Sequence, residues 1–366
     1  MDTFAFIIHP IDPKRDVSRK FPLLGRILNE KQIDFFSTFF PPVYISEIEG
    51  IRSEATGKEI KGWFIACPFT PRRMMELPEK TVYRKIVRTG RLAEKLGAQM
   101  LGLGAFTSVV GDAGMTIAKA LDVPVTTGDS YTVIIAVESI REAARIMEIP
   151  LQETSAAVVG ATGTIGQVCA DFLADDVERL FLIGRRQDKL EELRDRLKIH
   201  ARAELIVSTS MDVLSDAQLI LTVTSAVHDV IHPEHLQPGS VVCDVARPRD
   251  VSAMVAATRN DKLVIDGGMV DVPGTVDFHF NFGFPPGKVY ACMAEAIALA
   301  LEGRFEDYTV GRHITRERVE EIDSIAKKHG FRLSGFRSFE REVTPQQIEA
   351  VRRNAKKAKA TRAAQR

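Results

Sequence analysis

The stretch Ala156-Ala157-Val158-Val159-Gly160-Ala161-Thr162-Gly163-Thr164-Ile165-Gly166, near the middle of the chain, decides the fold. Ala156 to Val159 is a short apolar run of the kind buried in a parallel sheet. It leads straight into Gly160-x-x-Gly163-x-x-Gly166 and then into a helical pattern from Gln167 to Leu173. Each glycine has a physical reason: a tight turn at the strand end, close backbone approach to a pyrophosphate, and close packing of helix on sheet. The N-terminus of the following helix brings free N–H groups and a partial positive charge to the same phosphates.

The context strengthens this reading. A second strand, Arg179 to Gly184, follows the helix and ends in Arg185-Arg186. That is about 20 residues past the glycines, where NAD-binding proteins place an acidic residue for the ribose 2′-hydroxyl. Two arginines suit a 2′-phosphate instead. The expected cofactor is NADPH, held by Gly160, Ala161, Thr162, Gly163, Thr164, Ile165 and Gly166 with Arg185 and Arg186.

A chain of 366 residues has room for two domains with full cores. Its 49 basic and 49 acidic residues cancel, so nothing global points to nucleic acid or to an anionic membrane surface. Cys67, Cys169, Cys243 and Cys292 are widely spaced and fit no metal-ligand pattern, so no metal is expected. They read as reduced thiols of a cytoplasmic protein. The N-terminus lacks the basic region of a signal peptide. No apolar run approaches the ~18 residues of a membrane span.

Outward from the glycines, apolar runs at Leu205–Ser208, Leu219–Val223, Ser240–Val245 and Leu263–Asp266 alternate with helical or loop segments. That alternation predicts an α/β, doubly wound parallel sheet over 151–287. Upstream, Phe4–Ile8, Val43–Ile51, Glu59–Cys67, Met100–Gly104 and Val123–Thr126 read as strands of an N-terminal α/β substrate domain over 1–130. An amphipathic helix spans about 80–96 within it, and 131–150 is a linking helix. The run Phe35-Phe36-Ser37-Thr38-Phe39-Phe40 reads as a core-facing loop or helix end, with an apolar lining for a greasy ligand as the alternative. Residues 288–335 form C-terminal helices. The tail over 336–366, with Arg352, Arg353, Lys356, Lys357, Lys359, Arg362 and Arg366, reads as a solvated or frayed helix; docking of an acidic protein is the minority reading.

Cys292 is the candidate nucleophile. The loop Phe284-Pro285-Pro286-Gly287-Lys288 breaks earlier structure, and a helix from about Val289 to Glu302 is closed by Gly303. Cys292 then falls in the first turn, where the helix dipole and Lys288 favour a thiolate. Val289, Cys292, Met293, Ala296, Ile297 and Ala300 also recur at helical spacing, so a small core residue is an equal reading of the same pattern.

Taken together, these segments resemble the long-chain fatty acyl–acyl carrier protein reductases best known from cyanobacteria. The resemblance runs from the first strand to about residue 335. It rests on Gly104-Ala105-Phe106-Thr107-Ser108, Val125-Thr126-Thr127-Gly128, the glycine turn, and above all Tyr290-Ala291-Cys292-Met293-Ala294-Glu295-Ala296-Ile297 with Leu301-Glu302-Gly303. The family's catalytic cysteine carries over onto Cys292. Where the family usually has an asparagine and a histidine, this chain has Asp129 and Tyr131, and Phe278 to Phe284 and the basic tail also differ.

The resemblance implies NADPH-dependent reduction of a long-chain acyl thioester, on acyl carrier protein or coenzyme A, to a fatty aldehyde through a Cys292 thioacyl-enzyme. Acyl carrier protein and a downstream aldehyde-consuming enzyme are the implied partners. Backbone N–H groups near Cys292, or the hydroxyls of Thr107, Ser108, Thr127 or Ser225, are alternative oxyanion donors. Two other readings stay open: a shikimate-dehydrogenase-like reductase of a small ketone, which shares the two-domain layout and needs no cysteine, and a non-enzymatic NADP-binding sensor.

Overall fold

In the computed structural model, which describes residues 1–226 and 228–364, the chain packs as two units. One is Met1–Tyr131 with Val270–Arg332; the other is Thr132–Met269 with the segment from Leu333.

The first unit opens with β1 (Asp2–Ile8) and three short helices, α1 (Pro13–Lys20), α2 (Pro22–Ile27) and α3 (Glu30–Ser37). Local chemistry sets their starts: Asp12 caps α1, and Asn29 forms a reciprocal capping box with Gln32 at α3. β2 (Val43–Arg52), β3 (Glu59–Ala66), α4 (Pro71–Glu76) and α5 (Glu79–Leu96) follow. Then come β4 (Leu101–Leu103), α6 (Phe106–Val109), α7 (Met115–Ala120), β5 (Val125–Thr126) and the start of α8 (Asp129–Ile146). The period-3.6 pattern of α5 buries Val82, Ile86 and Ala93 against Ile7, Ile65 and Leu101 of the sheet.

The aromatic run departs from expectation. α3 buries Ile33, Asp34 and Ser37, which turns Phe35 outward at 53% exposure, and Phe39 just beyond the helix is 70% exposed. Their rings meet each other, 5.6 Å between centroids, rather than the core.

The second unit holds six parallel strands: β6 (Ser155–Val159), β7 (Arg179–Ile183), β8 (Glu204–Ser208), β9 (Leu219–Thr222), β10 (Val241–Asp244) and β11 (Leu263–Asp266). Helices α9 (Thr164–Asp176), α10 (Gln187–Leu197) and α11 (Ala253–Thr258) connect them. The spatial order is β11-β10-β9-β6-β7-β8, so the direction of winding reverses beside β6. Ligands of such sheets bind at that switch point, beyond the carboxyl ends of the strands. All six strands stand where the apolar runs put them; five of them are buried, and a strand buried on both faces reads as an unbroken apolar segment, while β8 at the sheet edge is half-buried.

From β12 (Met269–Asp271) the chain returns to the first unit. β13 (Gly274–Asp277) pairs antiparallel with β2, giving the sheet order β13-β2-β3-β1-β4-β5. After β14 (Lys288–Tyr290), α12 (Ala291–Glu302) lies on β1 and β4, with Ala296 against Gly102, and α13 (Arg316–His329) packs on α12. The cysteine-bearing segment is therefore part of the N-terminal unit, the opposite flank of whose sheet carries α5. The tail opens with the antiparallel pair Arg337–Ser338 and Arg341–Glu342 and continues as a helix, α14 (Pro345–Ala364), in which Arg352 pairs with Glu148; Arg366 and the Arg362 side chain lie outside what is described.

Candidate active site and cofactor turn

In the second unit, two of the three glycines of the turn, Gly160 and Gly166, are required by their surroundings. Gly160 has φ +84°, and a Cβ there would stand 2.7 Å from the Val223 carbonyl oxygen. A Cβ on Gly166 would stand 2.2 Å from the Gly160 carbonyl oxygen, so α9 approaches the strand end as closely as backbone allows. Gly163 is the N-cap of α9 and no side chain caps the helix, which leaves its first N–H groups for an anion. Thr162 and Gly163 are exposed, Ala161 is buried, and Thr164 and Ile165 are half-buried in the first turn.

Arg185 and Arg186 are exposed where β7 ends. They adjoin the turn: a Cβ on Gly184 would lie 3.6 Å from the Thr162 hydroxyl oxygen. Neither arginine has an ion pair among the described residues. The arrangement fits a dinucleotide carrying a third phosphate. Sequence reading missed Asp250, a buried carboxylate that accepts from the Thr222 hydroxyl (2.6 Å) and the Thr224 N–H (2.9 Å). It shapes the end of β9 whose Val223 carbonyl faces Gly160. Ser225 lies exposed just beyond that turn.

In the first unit, α12 is buried from Ala291 to Leu301 at every position but one. The exception is Cys292, half-buried in the first turn. Cys67, Cys169 and Cys243 are all buried core residues, and Cys292 is the one cysteine that is not. Across from α12 the loop after β5 closes in: Gly128, at φ +78°, has no room for a side chain because a Cβ would stand 2.3 Å from the Cys292 Cα.

Glu295 holds that loop in place. It is fully buried, one turn along α12 from Cys292, and accepts from the hydroxyls of Thr126 and Thr309 (2.7 Å to Thr309) and from the Tyr131 N–H (2.8 Å). A carboxylate inside the otherwise apolar run Ala291–Leu301 had to find such partners; that lone charge was the sequence signal. Burial pushes its carboxyl pKa up. Asp129, next to Gly128, is pushed up to about 7 by burial and by the Glu295 charge.

The expected low-pKa thiolate is not what these surroundings produce. Burial, and then the negative charge of Asp129, push the Cys292 thiol up to about 12. The N–H groups of Cys292 and Met293 do pull it down, as a helix N-terminus should, but by less. Lys288 does not help, since its ammonium is bound to Asp271 at 2.6 Å.

The other predicted hydroxyls divide. Thr107 is buried and closes its own turn, donating to the Gly104 carbonyl (2.8 Å) and accepting from the Gly104 N–H (3.0 Å). Ser108 donates to the Ala105 carbonyl at 2.6 Å. Thr127 is buried in the loop against Cys292, with its N–H on the Thr309 carbonyl (2.8 Å).

Comparison with known proteins accords with this geometry. Over 347 residues the chain is 29% identical to the long-chain acyl-[acyl-carrier-protein] reductase of Synechococcus elongatus, covering 90% of this chain and 98% of that one. The chain is a homologue of that reductase. The family model for shikimate / quinate 5-dehydrogenase matches residues 141–266, the strands and turn of the second unit. The chain is also 32% identical over 306 residues to the aminotransferase PigE of a Serratia species, covering 82% of this chain but only 36% of that protein. A shorter likeness, 32% over 111 residues, links it to the glutamyl-tRNA reductase of Caldicellulosiruptor saccharolyticus, covering 30% of this chain and 27% of that one. Reductases and a dehydrogenase family place the chain among the oxidoreductases that use a nicotinamide cofactor. Among the described residues, no helix is long and apolar enough to cross a membrane.

Proposed function

We propose that this protein reduces a long-chain fatty acyl thioester, carried on acyl carrier protein or coenzyme A, to a fatty aldehyde through a Cys292 thioacyl-enzyme, using NADPH. The observation that supports it most is that Cys292, half-buried, is the one position of Ala291–Leu301 that is not fully buried. A core role would have hidden it with its neighbours.

The raised thiol pKa means that a proton acceptor is needed for attack. Asp129 is the acceptor in this reading: it follows the glycine that packs on Cys292, its charge acts on the thiol, and a carboxyl group titrating near 7 is partly ionised at neutral pH. The Cys292 sulfur, giving its proton to Asp129, attacks the thioester carbonyl. The new C–S bond forms as the carrier's C–S bond breaks, and the carrier leaves as its thiol after taking a proton. The free N–H groups of the first turn of α12, which no side chain caps, are the oxyanion donors in this reading. Gly160 to Gly166 would hold the pyrophosphate of the cofactor, and Arg185 and Arg186 its 2′-phosphate. NADPH held there would supply hydride for the thioacyl carbonyl, and the Cys292 sulfur would be the leaving group, regaining its proton as the aldehyde is released.

Intact-protein mass spectrometry after incubation with palmitoyl-coenzyme A, without NADPH, tests this. A palmitoyl adduct on the wild type and none on Cys292→Ala, discharged as hexadecanal when NADPH is added, is the expected result. A Cys292→Ala variant that still oxidises NADPH at the wild-type rate would return the chain to the small-ketone dehydrogenases.

A further inference from the structure

The basic tail was the stretch whose sequence suggested an acidic partner, yet a sharper concentration of charge stands on α5. Lys80, Arg84, Arg88, Arg91 and Lys95 are all exposed, and their spacing of 4, 4, 3 and 4 residues keeps them within about 80° of one another around the helix. Among the described residues none of the five has an ion pair. On the neighbouring α4, by contrast, Arg72 is paired with Glu76 (2.7 Å) and Arg73 with Asp34 (3.0 Å). Of the two acidic residues of α5, Glu79 stands at the start of the row and accepts from the Tyr83 hydroxyl (3.0 Å), and Glu94 accepts from the Asp122 N–H (2.6 Å). In a chain of zero net charge, these five cations face one carboxylate in the same groove, Glu79, which leaves a local surplus of four.

The row lines a groove of about 1050 Å³, walled by Pro41 and Pro42 on one side and by Thr116 and Ala120 on the other. From residue 80 to 95 it runs about 22 Å at 1.5 Å per residue, with cations about 5–6 Å apart. Carboxylates one turn apart on a helix repeat at the same interval. The phosphates of a single nucleotide are clustered and would use only part of the row, and a flat bilayer does not enter a groove. The aromatic segment adjoins it: the Lys85 ammonium, on the same helix, is hydrogen-bonded to the Thr38 and Phe40 carbonyls (3.1 and 2.6 Å), which brings exposed Phe39 and Phe40 alongside. Arginine beside exposed phenylalanine is the composition of a protein–protein contact.

We propose that the basic face of α5 docks an acidic helix of the protein that carries the acyl chain; this rests on the acyl-thioester reading above. Charge steering of this kind speeds encounter and fixes register, and it weakens as salt is added.

The test uses the full chain and the triple variant Arg84→Glu/Arg88→Glu/Arg91→Glu, with Arg84→Gln/Arg88→Gln/Arg91→Gln as the milder form should the first lose its fold by circular dichroism. Reduction of palmitoyl-acyl carrier protein and of palmitoyl-coenzyme A is compared, and binding of unacylated acyl carrier protein is measured by calorimetry. The expected result is a KM for palmitoyl-acyl carrier protein raised by about tenfold or more, with palmitoyl-coenzyme A kinetics within about twofold of wild type. Calorimetric affinity should fall in parallel, and lysines placed in the carrier's acidic helix should recover part of the charge-reversed variant's loss. An unchanged KM for the carrier protein overturns the proposal, as does equal loss with both thioesters. Co-flotation with phosphatidylglycerol vesicles that the variant abolishes, without effect on the carrier protein, assigns the face to a bilayer instead. If neither thioester is reduced, the reaction proposed above fails, and calorimetry alone still decides whether α5 is the docking face.

Discussion

Gly128 and Cys292 touch backbone to backbone: a methyl group at position 128 would stand 2.3 Å from the Cys292 Cα and 2.5 Å from both its Cβ and its carbonyl oxygen. The loop after β5 and the first turn of α12 are thus built as one surface, although 164 positions separate them in the chain.

Gly128→Ala is expected to cost about 2–4 kcal/mol, since it combines a left-handed backbone at φ +78° with a clash against backbone that cannot yield. Gly97→Ala is the control, with φ +86° but nothing within 4 Å, and should cost only the conformational part, about 1 kcal/mol. Urea unfolding of both variants measures the difference. Equal losses would show that the contact with Cys292 carries no cost.

Asp129→Asn separates the proton acceptor from mere packing. The wild-type rate of adduct formation with palmitoyl-coenzyme A should rise with pH through about 7, as the carboxyl group ionises; the variant should be slower by about 10²–10³ and lack that rise. The stability effect has the opposite sense. A carboxyl raised from 3.8 to about 7 destabilises the fold increasingly between those values and fully above them. Asn should therefore stabilise the protein by about 1–2 kcal/mol above pH 7, after discounting for partial exposure, and have no such effect below pH 4. Thermal melts across that range give the sign.

Glu295→Gln and Glu295→Ala should diverge. Gln keeps an oxygen for the Thr126 and Thr309 hydroxyls but turns an NH2, which cannot accept, towards the Tyr131 N–H; it should cost about 1 kcal/mol at low pH and less at high pH, where it also removes a charge that burial opposes. Ala removes the acceptor of the Thr126 hydroxyl and the Tyr131 N–H, leaves the Thr309 hydroxyl only Ser130, and should cost about 2–4 kcal/mol. Denaturant midpoints compare the two. Equal losses would mean that the carboxylate charge itself is needed.

Arg185→Ala/Arg186→Ala should weaken NADPH binding by about 10–100-fold while leaving NADH within about twofold, because only the 2′-phosphate distinguishes the ligands. Quenching or enhancement of nicotinamide fluorescence reads both affinities. Loss of both cofactors alike would remove the arginines from the 2′-phosphate site.

The second unit was legible in the sequence almost strand for strand. Its signals are local: six apolar runs long enough to cross a buried sheet, and glycines at the turn where φ +84° and a 2.2 Å approach leave no alternative residue. The amphipathic period of α5 and the glycine that closes α12 at φ +74° were legible for the same reason. What only the tertiary structure decided is the character of the groups that would do the chemistry. Helix position alone predicted an acidic Cys292 thiol, but burial and the Asp129 charge outweigh two backbone N–H groups and reverse the sign. The exposure of the Phe35 ring, the buried bonds of Glu295 and the unpaired row on α5 belong to the same class. Turn geometry depends on the few residues that make the turn; a pKa or an unpaired charge depends on everything within reach in space, which the fold assembles from distant parts of the chain.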